Sequence, residues 1–265
     1  MTRFDSPKQG NESDSRELIF QPVKLIGHEF LTGGEEHFNR LIFNHIETDC
    51  RDALILAHHN LHSLFLFQRD ENLTAYFKQT RYIWIDGMAV LWILKLLGYD
   101  AANKWRLTFL DWQHSFFARA SDVNARIFLL GSSKGIIEKT TQELSTLYPM
   151  IKFANHHGYV DIQAEKNTPL IDAINDFNAD ILLVGMGMPK QEAWILSNQD
   201  LLNCKVIMPL GGYFDYIAGE TYMPPRLSGK LGLEWLFRLA SDPKRLYRRY
   251  LLEPWFVILK LIKNR

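Results

Sequence analysis

The sequence predicts an α/β fold, a mostly parallel sheet with helices on both faces, followed by a basic helical segment. Three observations predict it. Short apolar runs recur at 53–57, 82–85, 126–130, 181–184 and 206–210. Stretches with helical periodicity lie between most of them. The runs end in loops of Gly, Asp, Ser, His or Asn. Continuous rather than alternating apolar runs mark strands covered on both faces, which is the situation in parallel sheets flanked by helices. In such sheets ligands bind beyond the C-terminal ends of the strands. The loops after these runs are therefore the candidate site.

The elements follow in order. Residues 1–16 are polar and read as a disordered leader. Phe38, Leu41, Ile42 and His45 give 38–46 one apolar helical face. The run at 53–57 is a strand closing on His58-His59-Asn60. Residues 61–68 form a helix, although their phenylalanines also allow a strand. The strand at 82–85 closes on Asp86-Gly87, and 88–97 is a very apolar helix stopped by Gly98. The strand at 126–130 runs into Gly131-Ser132-Ser133-Lys134-Gly135 and a helix over 136–147. The strand at 181–184 runs into Gly185-Met186-Gly187-Met188-Pro189 and a helix from Lys190. The last strand, 206–210, ends at Gly211-Gly212. Near Pro224 the α/β rhythm stops. The predicted organisation is a leader at 1–16, an α/β domain at 17–223 and a helical appendage at 224–265. Pro243 suits the first position of a second helix within that appendage.

Composition narrows the functions. The chain has 265 residues, 47% apolar and 23% charged, with formal net charge zero. Zero net charge gives no general attraction to nucleic acid. The charge is unevenly spread. Residues 224–265 hold ten Lys and Arg against three acids, a net +7, which leaves −7 on the rest. Trp235, Phe237, Tyr247, Tyr250, Trp255 and Phe256 are interleaved with those cations. A basic, aromatic face of this kind fits an anionic membrane surface. Arginine at this density also suits phosphate or diphosphate, because the guanidinium fork donates to two oxygens at once. No run of eighteen apolar residues suggests a spanning helix, and the polar start does not read as a signal peptide. Cys50 and Cys204 are too few for a disulfide framework, which fits a reducing, cytoplasmic location.

Each loop has a structural reading and a chemical one. Gly131-Ser132-Ser133-Lys134-Gly135 lets backbone N–H groups approach a phosphate at a helix N-terminus, but a plain tight turn explains it equally. It matches neither the P-loop nor GxGxxG spacing. Gly185 and Gly187 give backbone room beside a ligand. Gln191 reads as a ligand contact and Glu192 as a partner of the helix dipole. Asp86 either caps the helix after it or acts with His58, Asn60 and Arg106 as an acid, imidazole, amide and guanidinium cluster. Such a cluster builds a base for a sugar hydroxyl. Adjacent histidines at 58–59 and 156–157 are poor metal ligands, and the Cys spacing is no better. No metal and no cofactor are expected.

Together these strings resemble the WecG/TagA/CpsF family of bacterial glycosyltransferases over roughly residues 50–250. The most specific are Gly185-Met186-Gly187-Met188-Pro189-Lys190-Gln191-Glu192, Gly211-Gly212-Tyr213-Phe214-Asp215 with Ala218-Gly219, and Leu233-Glu234-Trp235-Leu236-Phe237-Arg238. Asp86-Gly87 and Tyr148-Pro149 agree in order. The resemblance implies a Rossmann-like enzyme working at the inner face of the cytoplasmic membrane. It implies metal-free, inverting transfer from a UDP-sugar to a polyprenyl-diphosphate-linked sugar, in cell-surface or exopolysaccharide synthesis. It matches Asp86 to the base, and Asn60, Arg106 and Gln191 to its polar surroundings. It matches Arg238, Arg245 and Arg248 to the arginines that hold the diphosphate. The chain departs from the family at His58, where Thr is usual, and at Phe109, where Gly is common. Both departures bear on sugar identity, so a hexose or an N-acetylhexosamine remains open, as does a homo-oligomer. A nucleotide-binding oxidoreductase would need GxGxxG after the first strand. A non-catalytic lipid-surface module would leave the glycine loops unexplained.

Overall fold

A computed structural model describes residues 19–48, 50, 52–67, 69–101, 105–222 and 232–263. The expected leader at 1–16, Gln68, and the appendage's start at Pro224, Pro225 and Arg226 lie outside the described residues. So does the Arg245 side chain, although its helix is described.

Eight strands form one sheet in the order β1-β2-β4-β3-β8-β7-β5-β6. They are β1 (Gln21–Leu25), β2 (His28–Thr32), β3 (Leu54–His59), β4 (Tyr82–Ile85), β5 (Arg126–Gly131), β6 (Lys152–His156), β7 (Ile181–Gly185) and β8 (Val206–Pro209). Only β1 and β2 pair antiparallel; the other neighbours run parallel. Among the described residues nine helices interleave with the strands. They are α1 (Glu35–Glu47), α2 (Leu61–Leu66), α3 (Glu71–Gln79), α4 (Met88–Leu96), α5 (Phe109–Asp122), α6 (Lys134–Leu147), α7 (Thr168–Asp176), α8 (Lys190–Asn198) and α9 (Tyr213–Ile217).

The apolar runs split between two cores, as strand geometry requires. Ala57, Ile83, Ile85, Phe128, Leu130, Leu182, Val184 and Ile207 join α3, α4, α7 and α8 on one face. Leu56, Trp84, Ile127, Leu129, Ile181, Leu183, Val206 and Met208 join α1, α5, α6 and α9 on the other. This distribution positions the site. The chain leaves β5 toward the α6 face and leaves the adjacent β7 toward the α8 face. It leaves β3 and the adjacent β8 on opposite faces in the same way. Between strands whose connections diverge, a crevice opens at the C-terminal edge.

Several elements had weak sequence signals. The β1–β2 hairpin turns on Ile26-Gly27, both at positive φ (49° and 77°). Asn-Gly or Asp-Gly is the usual sequence for such a turn. Strand β6 lies at the sheet's edge, and its sequence Lys-Phe-Ala-Asn-His is half polar.

The C-terminal part is helical, and Pro243 opens its second helix as expected. Helix α10 (Glu234–Ser241) is followed by α11 (Pro243–Tyr247), a π-helical turn (Arg248–Leu252) and α12 (Glu253–Lys263). Helix α12 docks on α2. Val257 is buried, and the Phe65 and Phe256 rings sit 5.8 Å apart. His62 Nδ1 lies 2.7 Å from Glu253 Oε2. Trp255, Phe256, Leu259 and Ile262 remain exposed. Among the described residues no helix is long and apolar enough to cross a membrane.

Candidate active site

Asp86 follows directly from the end of β4. Its N–H donates to the His59 carbonyl at 2.8 Å, which ties the ends of β3 and β4 together. The N-cap of α4 is Gly87, at φ +107°, and no side chain caps that helix. Asp86 is therefore not the cap. Its half-buried carboxylate makes no hydrogen bond or ion pair with the described residues. Leu107 N–H donates to the Ile85 carbonyl at 2.8 Å, and this pairing holds Arg106 alongside.

Two cavities meet at Asp86. One, of about 620 Å³, lies over the strand ends and is lined by Ser132, Gly185, Gly187, Gly211, Asp215 and Lys190 among others. Its polar walls are tied together: Ser132 Oγ donates to Asp215 Oδ1 at 2.6 Å, and Lys190 Nζ to the Gly158 carbonyl at 2.7 Å. The other, of about 270 Å³, is more apolar and lies under the C-terminal helices. Leu61, Met88, Trp92, Trp235 and Pro254 line it, with Arg106 and Glu234. Asn60, Asp86, Thr108, Arg238 and Arg249 line both.

The neighbours of Asp86 have distinct roles. Asn60 caps α2: its Oδ1 accepts from Ser63 N–H at 2.9 Å, and Ser63 Oγ accepts from Asn60 N–H in return. Only its amide NH₂ is left for a ligand. His58 lines the larger cavity, stacks on Trp84 at 5.2 Å and has an unpartnered Nδ1. Burial lowers its pKa, and Arg249 adds to that effect against the pull of Asp86. The imidazole is thus neutral at neutral pH. Arg106 donates to Asp111 at 2.9 Å and to Glu234 at 3.1 Å. Glu234 also accepts from Arg238. This single carboxylate links the α/β body to α10.

The structure separates the other expected site residues. Gly187 and Gly185 line the larger cavity. Gly131 lies outside both linings, because it is packed against β7. A Cβ there would sit 2.2 Å from the Gly185 carbonyl oxygen. Gln191, expected as a ligand contact, is fully buried and outside both linings. Its Oε1 accepts from Gly187 N–H (3.2 Å) and Gly211 N–H (3.0 Å), and its Nε2 donates to Glu192 (2.8 Å). It is a brace between two glycine loops. Arg248 is exposed and lines neither cavity. Asp215 and Glu234, which do line them, stand in the quoted strings, and Arg249 is one of the ten basic residues of 224–265. Among the described residues no group of three or more His, Cys, Asp or Glu side chains converges as a metal site.

Glu192 is not at the helix surface, where it would complement the dipole. It is fully buried, and Oε2 has no partner. Burial pushes its pKa up to about 7 from 4.5. The folded state therefore holds this proton more tightly than the unfolded chain does. Stability falls as pH rises from about 4.5 to about 7, by on the order of 3 kcal/mol, and the penalty is complete above that. Glu192→Gln is expected to match the parent in urea melts at pH 5 and exceed it at pH 8. Equal midpoints at both values would show that the burial carries no such penalty.

Comparison with known proteins places this chain among relatives. Relatives from Staphylococcus aureus strains MW2 and NCTC 8325 are 33% identical over 170 residues. One from strain MRSA252 is 34% identical over the same length. Each bears the name N-acetylglucosaminyldiphosphoundecaprenol N-acetyl-beta-D-mannosaminyltransferase. The match covers 64% of this chain and spans 65% of the length of each relative. Residues 23–265 match the profile shared by a whole family, running from the hairpin to the C-terminal helices: the chain belongs to the glycosyl transferase WecG/TagA/CpsF family.

Proposed function

We propose that the chain moves a hexose or N-acetylhexosamine from a UDP-sugar to a sugar carried on polyprenyl diphosphate, with inversion at the anomeric carbon. The observation that carries this reading is the position of Asp86, an unpartnered carboxylate on the wall shared by a polar and an apolar cavity. The polar cavity, with its strand-end loops, suits a nucleoside diphosphate. The apolar one, with Arg106 and Arg238 at its edge, suits a lipid-linked diphosphate. In the reaction the acceptor hydroxyl gives its proton to Asp86. Its oxygen attacks the anomeric carbon from the face opposite the leaving diphosphate. The names of the staphylococcal relatives supply an N-acetylmannosamine donor and an undecaprenyl-linked acceptor as the first pair to try. His58 and Phe109 line the larger cavity and bear on which sugar fits.

The exposed apolar side chains of α10 and α12 support peripheral contact with the inner face of the cytoplasmic membrane. The test is direct. Purified protein is incubated with lipid-linked monosaccharide and a panel of UDP-sugars, and products are read by mass spectrometry and anomeric NMR. A disaccharide lipid of inverted configuration is expected, and its yield should survive EDTA. No product from any donor, with tight binding of NAD instead, would replace this reading with an oxidoreductase. Loss to EDTA that Mg²⁺ or Mn²⁺ reverses would show that a metal takes part.

A further inference from the structure

The resemblance singled out Arg238, Arg245 and Arg248. The structure brings a further arginine, Arg249, to the meeting point of the two cavities beside Arg238. A π-helical turn spans Arg248–Leu252, and such turns inside α-helices are often found at functional sites. With it, Arg249 lines both cavities while its neighbour Arg248 faces solvent.

Two of the nearby carboxylates already have direct partners. Glu234 is held by Arg106 and Arg238, and Glu253 lies 2.7 Å from His62. Arg249 has neither a hydrogen bond nor an ion pair with any described residue. Its guanidinium lies 6.0 Å from the Tyr250 ring, and Asp86 and Glu253 act on it electrostatically without a direct contact. Burial lowers its pKa, and Arg238 adds to this against the opposing pull of Tyr250, Asp86 and Glu253, but an arginine stays charged in neutral solution. A partly buried cation with no direct ion pair among the described residues is costly unless an anion joins it. Asp86, across the junction, is the base, and its charge is lost as it takes the proton. The anion that grows at that moment is the departing diphosphate.

We propose that Arg249 is a further catalytic residue, whose guanidinium donates to the phosphate oxygen leaving the anomeric carbon. This rests on the transfer reaction proposed above. The acceptor O–H bond breaks and its proton goes to Asp86. The acceptor oxygen bonds to the anomeric carbon. The carbon–oxygen bond to the donor phosphate breaks, and its electron pair stays on that oxygen, facing Arg249. The nucleoside diphosphate leaves with the added charge. Arg106 and Arg238 are left to the acceptor's own diphosphate.

The experiment uses the full chain, lipid-linked acceptor and the donor that the wild type accepts. Arg249→Ala is expected to lower kcat about hundredfold, the usual effect of losing one donor to a developing anion. KM for the acceptor should stay within about threefold of wild type, since the contact strengthens only in the transition state. Product inhibition by UDP should weaken. Millimolar guanidinium should restore part of the rate to Arg249→Ala and none to Asp86→Asn. Arg249→Lys, which keeps charge but not the fork, should fall between. Should the Ala variant unfold in a thermal melt, the Lys variant and an Arg249→Gln variant carry the same comparison. A kcat near wild type overturns the proposal. So does a raised acceptor KM at unchanged kcat, which would assign Arg249 to the acceptor's diphosphate. Wild-type protein that transfers no sugar at all would instead sink the transfer reading itself.

Discussion

Asp86→Asn is expected to lower kcat by about a hundredfold or more, the size of a lost general base. Its unfolding midpoint and its affinity for UDP should hardly change. The carboxylate caps no helix and pairs with no described residue, so its loss leaves no orphaned partner behind. The amide is nearly the same size and keeps the cavity wall intact. His58 is the one nearby group that could substitute. Burial holds its pKa below the ordinary histidine range, so it is uncharged but a weak base. Comparing Asp86→Asn with His58→Gln under single-turnover conditions decides the assignment. A folded Asp86→Asn enzyme with a near-normal rate, beside a His58→Gln enzyme that is inactive, would transfer the role to the imidazole.

The second large effect is expected at the outer stripe of α12. Trp255, Leu259 and Ile262 fall at i, i+4 and i+7, which places them on one face of the helix. They are 66%, 58% and 66% exposed. Each large apolar side chain taken out of water contributes about 1.5–3 kcal/mol. Each basic residue near an anionic leaflet contributes about 1 kcal/mol. Changing all three to Ser is therefore expected to cut sedimentation with acidic vesicles by at least about tenfold. The effect should persist in high salt, which screens the cations and not the apolar term. None of the three lines the apolar cavity, so transfer to a short, water-soluble acceptor should stay near normal. A triple variant that still sediments like the parent would show that this stripe does not meet lipid.

The central strands were legible in the sequence because parallel strands buried on both faces leave unbroken apolar runs. Strands β3, β4, β5, β7 and β8 all announce themselves in this way. The edge strands β1 and β6, and β2 beside β1, do not, since strands at and near the edge carry polar residues toward solvent. Loop positions were legible for the same reason as the strands, and so was the cluster around Asp86. What each loop residue does was not. Gln191 and Lys190 are adjacent in the string, yet one braces two backbones and the other lines a cavity. Glycines that line a cavity and glycines that admit a neighbouring strand look alike in one dimension, as Gly187 and Gly131 illustrate. The resemblance matched Arg248 to the diphosphate, whereas the cavity wall carries its neighbour Arg249. A π turn changes which residue faces inward, and no local sequence rule announces one.

Glu234 bears on how the enzyme turns over. Its carboxylate stands between Arg106 and Arg238, and Asp111 also holds Arg106, so both cations already have partners within the protein. On the proposed reaction, an arriving lipid diphosphate does not meet two bare cations. It competes with an anion that is permanently tethered there, and the exchange yields less binding energy than a fresh ion pair would. That moderation matters because the elongated lipid keeps the same diphosphate as the starting one. A pocket that gripped the group without a rival would grip the product equally hard. A resident competitor leaves the arginines strong enough to orient the acceptor and weak enough to let the finished lipid go.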